Sequence, residues 1–424
     1  MAEKCFRNFT LIDTKNGDCL DNITMIIEKD EITALAADSD LKAEYESSGM
    51  DVIDCTGKFI MPGLCNAHVH IMFTGEKLPR ASSLNHKLVQ FLAGLPVIRN
   101  ILMKKRQQVL KTSLNSGITV LRVLGDVNWG DIKIRDETNS GKIFGPHILA
   151  AGRSITPVGG HGAAMSYVVN SEAEARAAVK ELYLRRVDCI KVLQTKGVTD
   201  ADDLASVGGP IMPKAILAAI ADEADKYNIP VTAHSENSES VRECVECGVN
   251  IEHGAEIDED TVLMMKEKGL FYCPTILAPR VYLETPPEKT GLSDLHIKAG
   301  DIVEKKMVNG LKSLIEYSQK NFGSKNCLII AGSDAGIPMC LHDKFARELG
   351  FYVDEFGLTP MEAIQTATYN AGLALSIADK YGCLEAGKWA DFLIFDKNPM
   401  DNLNILLEPS RFEVWCRGTK VIKN

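Results

Sequence analysis

The sequence contains no run of about 18 apolar residues, the length a helix needs to cross a membrane, so no membrane span is expected. It has no block of lysine and arginine either. With a net charge of −10, a nucleic-acid or anionic-membrane surface is disfavoured as its partner. The opening stretch MAEKCFRNFT has charged and polar residues where a signal peptide carries an apolar core. Its twelve cysteines do not fall into the paired spacing of a zinc ribbon or a disulfide scaffold. Without an export signal they are expected to be reduced, mostly buried thiols. These absences together predict a cytoplasmic protein.

The chain has 424 residues, 45% hydrophobic and 25% charged, which suits one large domain with an appendage or two ordinary domains. Both ends look alike. Cys5–Asp13, Ile23–Glu28, Glu31–Ala36 and Asp51–Ile53 near the start, and Ala390–Phe395, Phe412–Arg417 and Thr419–Ile422 near the finish, are β-type runs separated by turn residues. They are expected to form one small β-sandwich from residues 1–58 and 386–424. Between them, apolar β runs alternate with helical segments. The expected strands are Phe59–Gly63, Ile118–Leu124, His147–Gly152, Asp188–Leu193, Pro230–Ala233, Val249–Glu252, Leu270–Pro274 and Cys327–Ala331, with helices such as 85–115 and Ser171–Arg186 between them. Eight strands alternating with helices predict an α/β fold with a (β/α)8 TIM-type barrel over 59–385.

Such barrels place their chemistry at the carboxyl ends of the strands, and the polar residues fall there. His68 and His70 follow the first run, and as i and i+2 they share one side of a strand. Lys191 lies within the fourth, His234 ends the fifth in VTAHSEN, His253 ends the sixth in NIEHG, and Asp334 ends the eighth in IIAGSDAG. Imidazoles and a carboxylate are nitrogen and oxygen ligands of zinc type, with manganese, iron or cobalt also open. A lysine in an apolar strand is either deprotonated or has captured carbon dioxide as a carbamate. A carbamate could bridge two ions, allocating His68, His70 and Asp334 to one and His234 and His253 to the other. Two such ions would share a hydroxide, with Asp334 shuttling its proton, which points to hydrolysis at a carbonyl carbon, most simply an amide.

The segments PGLCNAHVH, Lys191, TAHSE, IEHG, GSDAG and the run 357–395 resemble the amidohydrolase superfamily in its binuclear, carboxylated-lysine form. GGHGA at 159–163 and HDKFARELGFYVDEFGLTP at 342–360 are most similar to its branch of prolidase-like dipeptidases, lysine/arginine carboxypeptidase-like enzymes and imidazolonepropionase-like proteins. The resemblance implies two divalent metal ions, zinc first, with a carbon-dioxide-derived carbamate on Lys191. It also implies the barrel with a small β-sandwich, and a dipeptide, N-acyl amino acid or related small amide as substrate.

In this branch the histidine at position 161 faces the substrate, so His161 is expected to stabilise the oxyanion. Where related dipeptidases carry a tyrosine two residues after the strand-five histidine, this chain has Glu236, either a binder of a cationic substrate group or a solvated loop carboxylate. His342, Arg280 and Tyr282 are further candidate substrate contacts; 279–295 and Thr195–Pro210 are candidate lids. Arg347 and Glu348 are expected to pair within their helix, Cys65 to pack in the core, and His86, His147 and His296 to be structural. The alternatives are a deaminase or cyclic amide or imidazolone hydrolase of the same superfamily, which usually holds one metal, and a non-enzymatic assembly protein on a hydrolase barrel. A homo-oligomer is compatible with all of these readings.

Overall fold

The computed structural model describes residues 3–76, 91–200 and 203–423. His86 and the first part of the helix expected over 85–115 lie outside these residues. Among the described residues no helix is long and apolar enough to cross a membrane.

Strands from both ends of the chain make one eight-stranded sheet: Lys4–Asp13, Asp18–Glu28, Glu31–Ala37, Asp51–Asp54, Phe59–Pro62, Phe392–Phe395, Phe412–Cys416 and Thr419–Lys420. Hydrogen bonding joins all eight strands into one curled sheet. Ile32 N–H donates to Lys388 O (2.8 Å) and Ala390 N–H to Asp30 O (2.8 Å), tying the Glu31 edge to the segment that enters Phe392–Phe395. Inside the curl Phe6 meets Phe392 and Trp415 edge-on at centroid distances of 5.0 and 4.9 Å. The helix Asp38–Ser48 lies beside this sheet and was not expected, because only Leu41 and Tyr45 mark its buried face.

One expectation is corrected. Phe59–Pro62 is not the first strand of the central unit. It pairs antiparallel with Phe392–Phe395 and parallel with Lys4–Asp13. The strand that carries His68 is Leu64–Val69. The two strands meet at Gly63, where an added Cβ would lie 2.4 Å from Thr119 Oγ1, so the chain can cross there only without a side chain. The run FIMPGL is apolar on both sides of Gly63, and no polar residue marks the change of sheet.

The middle of the chain is α/β. Leu64–Val69, Ile118–Val123 and His147–Ala150 form a parallel three-stranded sheet. Ser166–Val169, Ser154–Pro157, Ile190–Leu193, Val231–Ser235, Asn250–His253 and Tyr272–Cys273 form a parallel sheet of six. Neither Ser154–Pro157 nor Ser166–Val169 was anticipated. The expected eighth strand, Cys327–Ala331, is not a regular strand. Its backbone instead bonds in both directions, from Tyr272 N–H to Leu328 O (2.8 Å) and from Ala67 N–H to Ala331 O (2.9 Å). Asp188 N–H donates to Ala150 O (2.9 Å) at the other junction of the two sheets.

The helix Asp294–Phe322 approaches the sheet of six through Gly310, where an added Cβ would lie 2.4 Å from Tyr272 Oη and 2.5 Å from Ala255 O. Gly254 faces the same ring. Ala in place of Gly inside a helix normally stabilises by about 1 kcal/mol. Here the overlap with a backbone carbonyl outweighs that gain. Gly310→Ala is expected to destabilise by about 1–3 kcal/mol, read as a lower denaturant midpoint at unchanged slope.

Candidate active site

The parallel register sets the site. Leu193 pairs with His234, and Ser235 with His253, so neighbouring strands deliver their polar residues to one rim. His68, His70, Lys191, His234, His253 and Asp334 all line one cavity of 230 Å³. His68 Nε2 and His70 Nε2 lie 3.3 and 3.2 Å from Asp334 Oδ1. The His253 ring stands 4.5 Å from that of His234 and 4.9 Å from that of His68, so the two groups of ligand-type side chains are contiguous. His253 and Asp334 hold left-handed backbone (φ +68° and +56°), strain that concentrates at functional positions.

The chemistry of the donor set fits divalent cations. Burial holds His68, His234 and His253 well below the ordinary histidine range, so they are neutral, the form that ligates metal. Burial also lowers Lys191, against the opposing pull of Glu252 and Asp334. Burial pushes Asp334 upward, but His68 and His70 prevail and hold it below its usual value. Lys191 Nζ and His234 Nε2 are buried without a hydrogen-bond partner, a costly state that a bound cation would relieve, and Asp334 Oδ1 faces the nitrogens of His68 and His70.

Behind these side chains lies a buried polar layer that the sequence reading missed. Glu252 is fully buried and accepts from His68 Nδ1 (2.8 Å), Arg122 Nη2 (2.5 Å) and Thr232 Oγ1. The His68 bond leaves Nε2 free to face the cavity. Thr275 Oγ1 bonds His253 Nδ1 at 2.7 Å. Glu348 fixes the adjoining turn by accepting the N–H groups of Ile276 (2.9 Å) and Leu277 (2.7 Å) and the Tyr352 hydroxyl. Its expected partner Arg347 pairs instead with Glu284, so that pairing is corrected. A signal was present: Arg122 in ITVLRVL and Glu252 in VNIEHG are charges inside apolar strands, as anomalous as Lys191.

Of the candidate substrate contacts, His161, Glu236 and Tyr282 line the cavity. The His161 ring lies 5.1 Å from that of His234. Glu236 is not a solvated loop carboxylate. It is 3% exposed, its Oε1 is 3.6 Å from His234 Nε2, and burial raises its pKa to about 8 against the pull of His161 and Lys306. Arg280 is corrected. It is committed to Glu304 and to both oxygens of Glu355 and stacks on Phe351, away from the cavity lining. His342 is corrected too. Its Nε2 donates to Phe73 O (2.9 Å), and it packs behind the wall. Gly197, Val198 and Thr199 of the 195–210 segment do line the cavity, with Thr195 bridged to Pro210. The 279–295 stretch is mostly helical, and its Pro279 and Tyr282 reach the wall. Cys65 is core, and His147 stacks on Trp389 at 3.6 Å.

Glu252→Gln leaves the buried Arg122 without its counter-charge and removes an acceptor from His68. The expected outcome is about 3–5 kcal/mol less stability and metal affinity about 10–100-fold weaker, read from thermal unfolding and from competition with a chromophoric chelator.

The sequence matches the amidohydrolase family over residues 59–423. Ochratoxinase of Aspergillus niger is 25% identical, the alignment covering 96% of this chain and 84% of the relative. Imidazolonepropionase of a Geobacillus species is 21% identical over 89% of this chain and 84% of its own. A solved Xaa-Pro dipeptidase with methionine in its active site superposes with a TM-score of 0.79 at 26% identity, over 99% of both chains. The family match spans most of the chain, from the strand before the two leading histidines to the last strands of the terminal sheet, and the chain belongs to the amidohydrolase family.

Proposed function

We propose that this amidohydrolase is a metal-dependent hydrolase of amide C–N bonds in small molecules: a dipeptide, an N-acyl amino acid or a related small amide. The observation that carries the reading is the convergence of the four histidines, Lys191 and Asp334 on one cavity, with Lys191 Nζ and His234 Nε2 buried and without a hydrogen-bond partner. The likeness to a Xaa-Pro dipeptidase supports a peptide-type bond. In this reading seven strands of the two parallel sheets, all but Ser154–Pro157 and Ser166–Val169, close into an eight-stranded barrel with the 327–331 segment as the eighth member, bridged by the hydrogen bonds of Leu328 and Ala331 and of Asp188. The terminal sheet is then its small companion, with the first crossing at Gly63.

His68, His70 and Asp334 would hold one ion and His234 and His253 a second, with Lys191 as a carbamate between them. Zinc suits these nitrogen and oxygen donors. Bound there, divalent ions supply a polarised carbonyl and a water made acidic enough to ionise near neutrality. The Asp334 carboxylate would take a proton from that water as its oxygen attacks the carbonyl carbon, and would hand it to the departing amine nitrogen. A carboxylate in this position can act as both general base and general acid within one turnover. His161 donates to the carbonyl oxygen as negative charge grows on it. Glu236 and Tyr282 line the same cavity, Glu236 accepting an N–H of the substrate.

One observation favours a second reading, deamination or the opening of a cyclic amide. The buried Glu236 carboxyl stands 3.6 Å from His234 Nε2, where it could carry protons itself. Metal content separates the two: about two ions per chain, with bicarbonate needed for reconstitution, supports the bridged amide hydrolase, and one ion indifferent to bicarbonate supports the second reading. Asp334→Asn is expected to keep much of its metal and lose kcat by orders of magnitude; near wild-type turnover would remove Asp334 from the mechanism. Lys191→Ala is expected to lose metal, and retention of two ions would end the carbamate assignment.

A further inference from the structure

We infer that the substrate carries one apolar group of about ring size beside its scissile amide, an inference that rests on the amide-hydrolase reading above. Phe73, Leu124, Met165, Leu193, Val198 and Ile337 line the cavity that holds the metal-ligating side chains. They come from the same turns as those side chains: Phe73 lies three residues past His70, Leu193 two past Lys191, and Ile337 three past Asp334. Phe73, Met165, Val198 and Ile337 are only half-buried by the protein. At the rim of the strands, where polar side chains would be the ordinary choice, these residues keep an apolar face open to the cavity. Phe73 and Met165 pack on one small cluster with Met72 and Val127, so that part of the wall is continuous and fixed.

The size follows from the volume. A dry cavity of about 150 Å³ accommodates benzene. The 230 Å³ here must also take the ions, their water and the reacting amide, so the apolar group that fits is no larger than a ring or a chain of about six carbons. Apolar walls with a few convergent polar groups are the usual construction of a small-molecule site, the walls supplying affinity and the polar groups orientation. Glu236 and His161 are the orienting groups here.

The test uses the full chain loaded with zinc and two series of amides, primary amides of lengthening acyl chain and N-alkylacetamides of lengthening amine. In one series kcat/KM is expected to rise about three- to fourfold per methylene up to about six carbons, then level off; the series that rises identifies the side of the bond. Flat profiles in both overturn the inference while leaving amide hydrolysis standing. If no amide is turned over, the hydrolase reading fails instead, and calorimetric titration with linear carboxylates and alkylamines of two to eight carbons decides the apolar subsite: rising affinity supports it, flat affinity overturns it. Met165→Glu and Val198→Asp, both at half-exposed positions, are expected to pull the factor per methylene toward one. A purely structural effect would lower all chain lengths equally, and an unchanged factor in both variants would overturn the assignment of this wall.

Discussion

The site depends on a carboxylate that faces away from the cavity. Glu252 is fully buried and collects hydrogen bonds from three other strands, through His68, Arg122 and Thr232. A lone buried carboxylate is too costly to survive in a protein interior. The equally buried Arg122 makes it tolerable, and Arg122 is itself held by Ala67 O at 2.6 Å. Such a pair adds little net stability compared with apolar packing. Its effect is positional: it fixes the orientation and tautomer of His68 before any ligand arrives. Thr275 does the same for His253, and Glu348 in turn secures the bend beside Thr275.

The ligand-type residues were legible because two independent patterns coincide on them: the stops of apolar β runs, and side chains with metal-binding chemistry. Lys191 stood out because an ammonium does not belong in an apolar strand. Arg122 and Glu252 carry the same anomaly, yet Arg122 lies inside its run and Glu252 is followed at once by His253, so a search for ligand-type residues at strand ends passes over both. Arg280 and His342 illustrate the opposite error. Each is the right residue type on the right loop, and each is neutralised by a partner distant in sequence, Glu355 for one and the Phe73 carbonyl for the other. Sequence proximity to a site does not reveal such competition for a side chain's hydrogen bonds.

Strand assignment failed where composition is uniform. Phe59–Pro62 and Leu64–Val69 read as one apolar stretch, and only the crowding of Gly63 against Thr119 separates them. The segment before Asp334 failed for another reason. Pressed against the first strand, so closely that a Cβ added to Gly332 would lie 2.8 Å from His68 Cβ, it turns sharply at Asp334 and never runs long enough to be a regular strand. The irregularity has a use, since it aims the Asp334 carboxylate back at His68 and His70.

The membership of Phe59–Pro62 in the terminal sheet bears on how the chain folds. Its neighbours there are Phe392–Phe395 on one side and Lys4–Asp13 on the other, so contacts spanning more than 300 residues close this sheet. During synthesis the early strands leave the ribosome long before residues 392–416 exist. Until then Phe6, Ile60 and their neighbours have no Phe392 or Trp415 to cover them. The central α/β unit can begin to assemble first, with its strands adjacent in sequence order. The terminal sheet would close last, leaving the nascent chain's first apolar strands exposed for most of translation and making that interval the natural point for chaperone engagement.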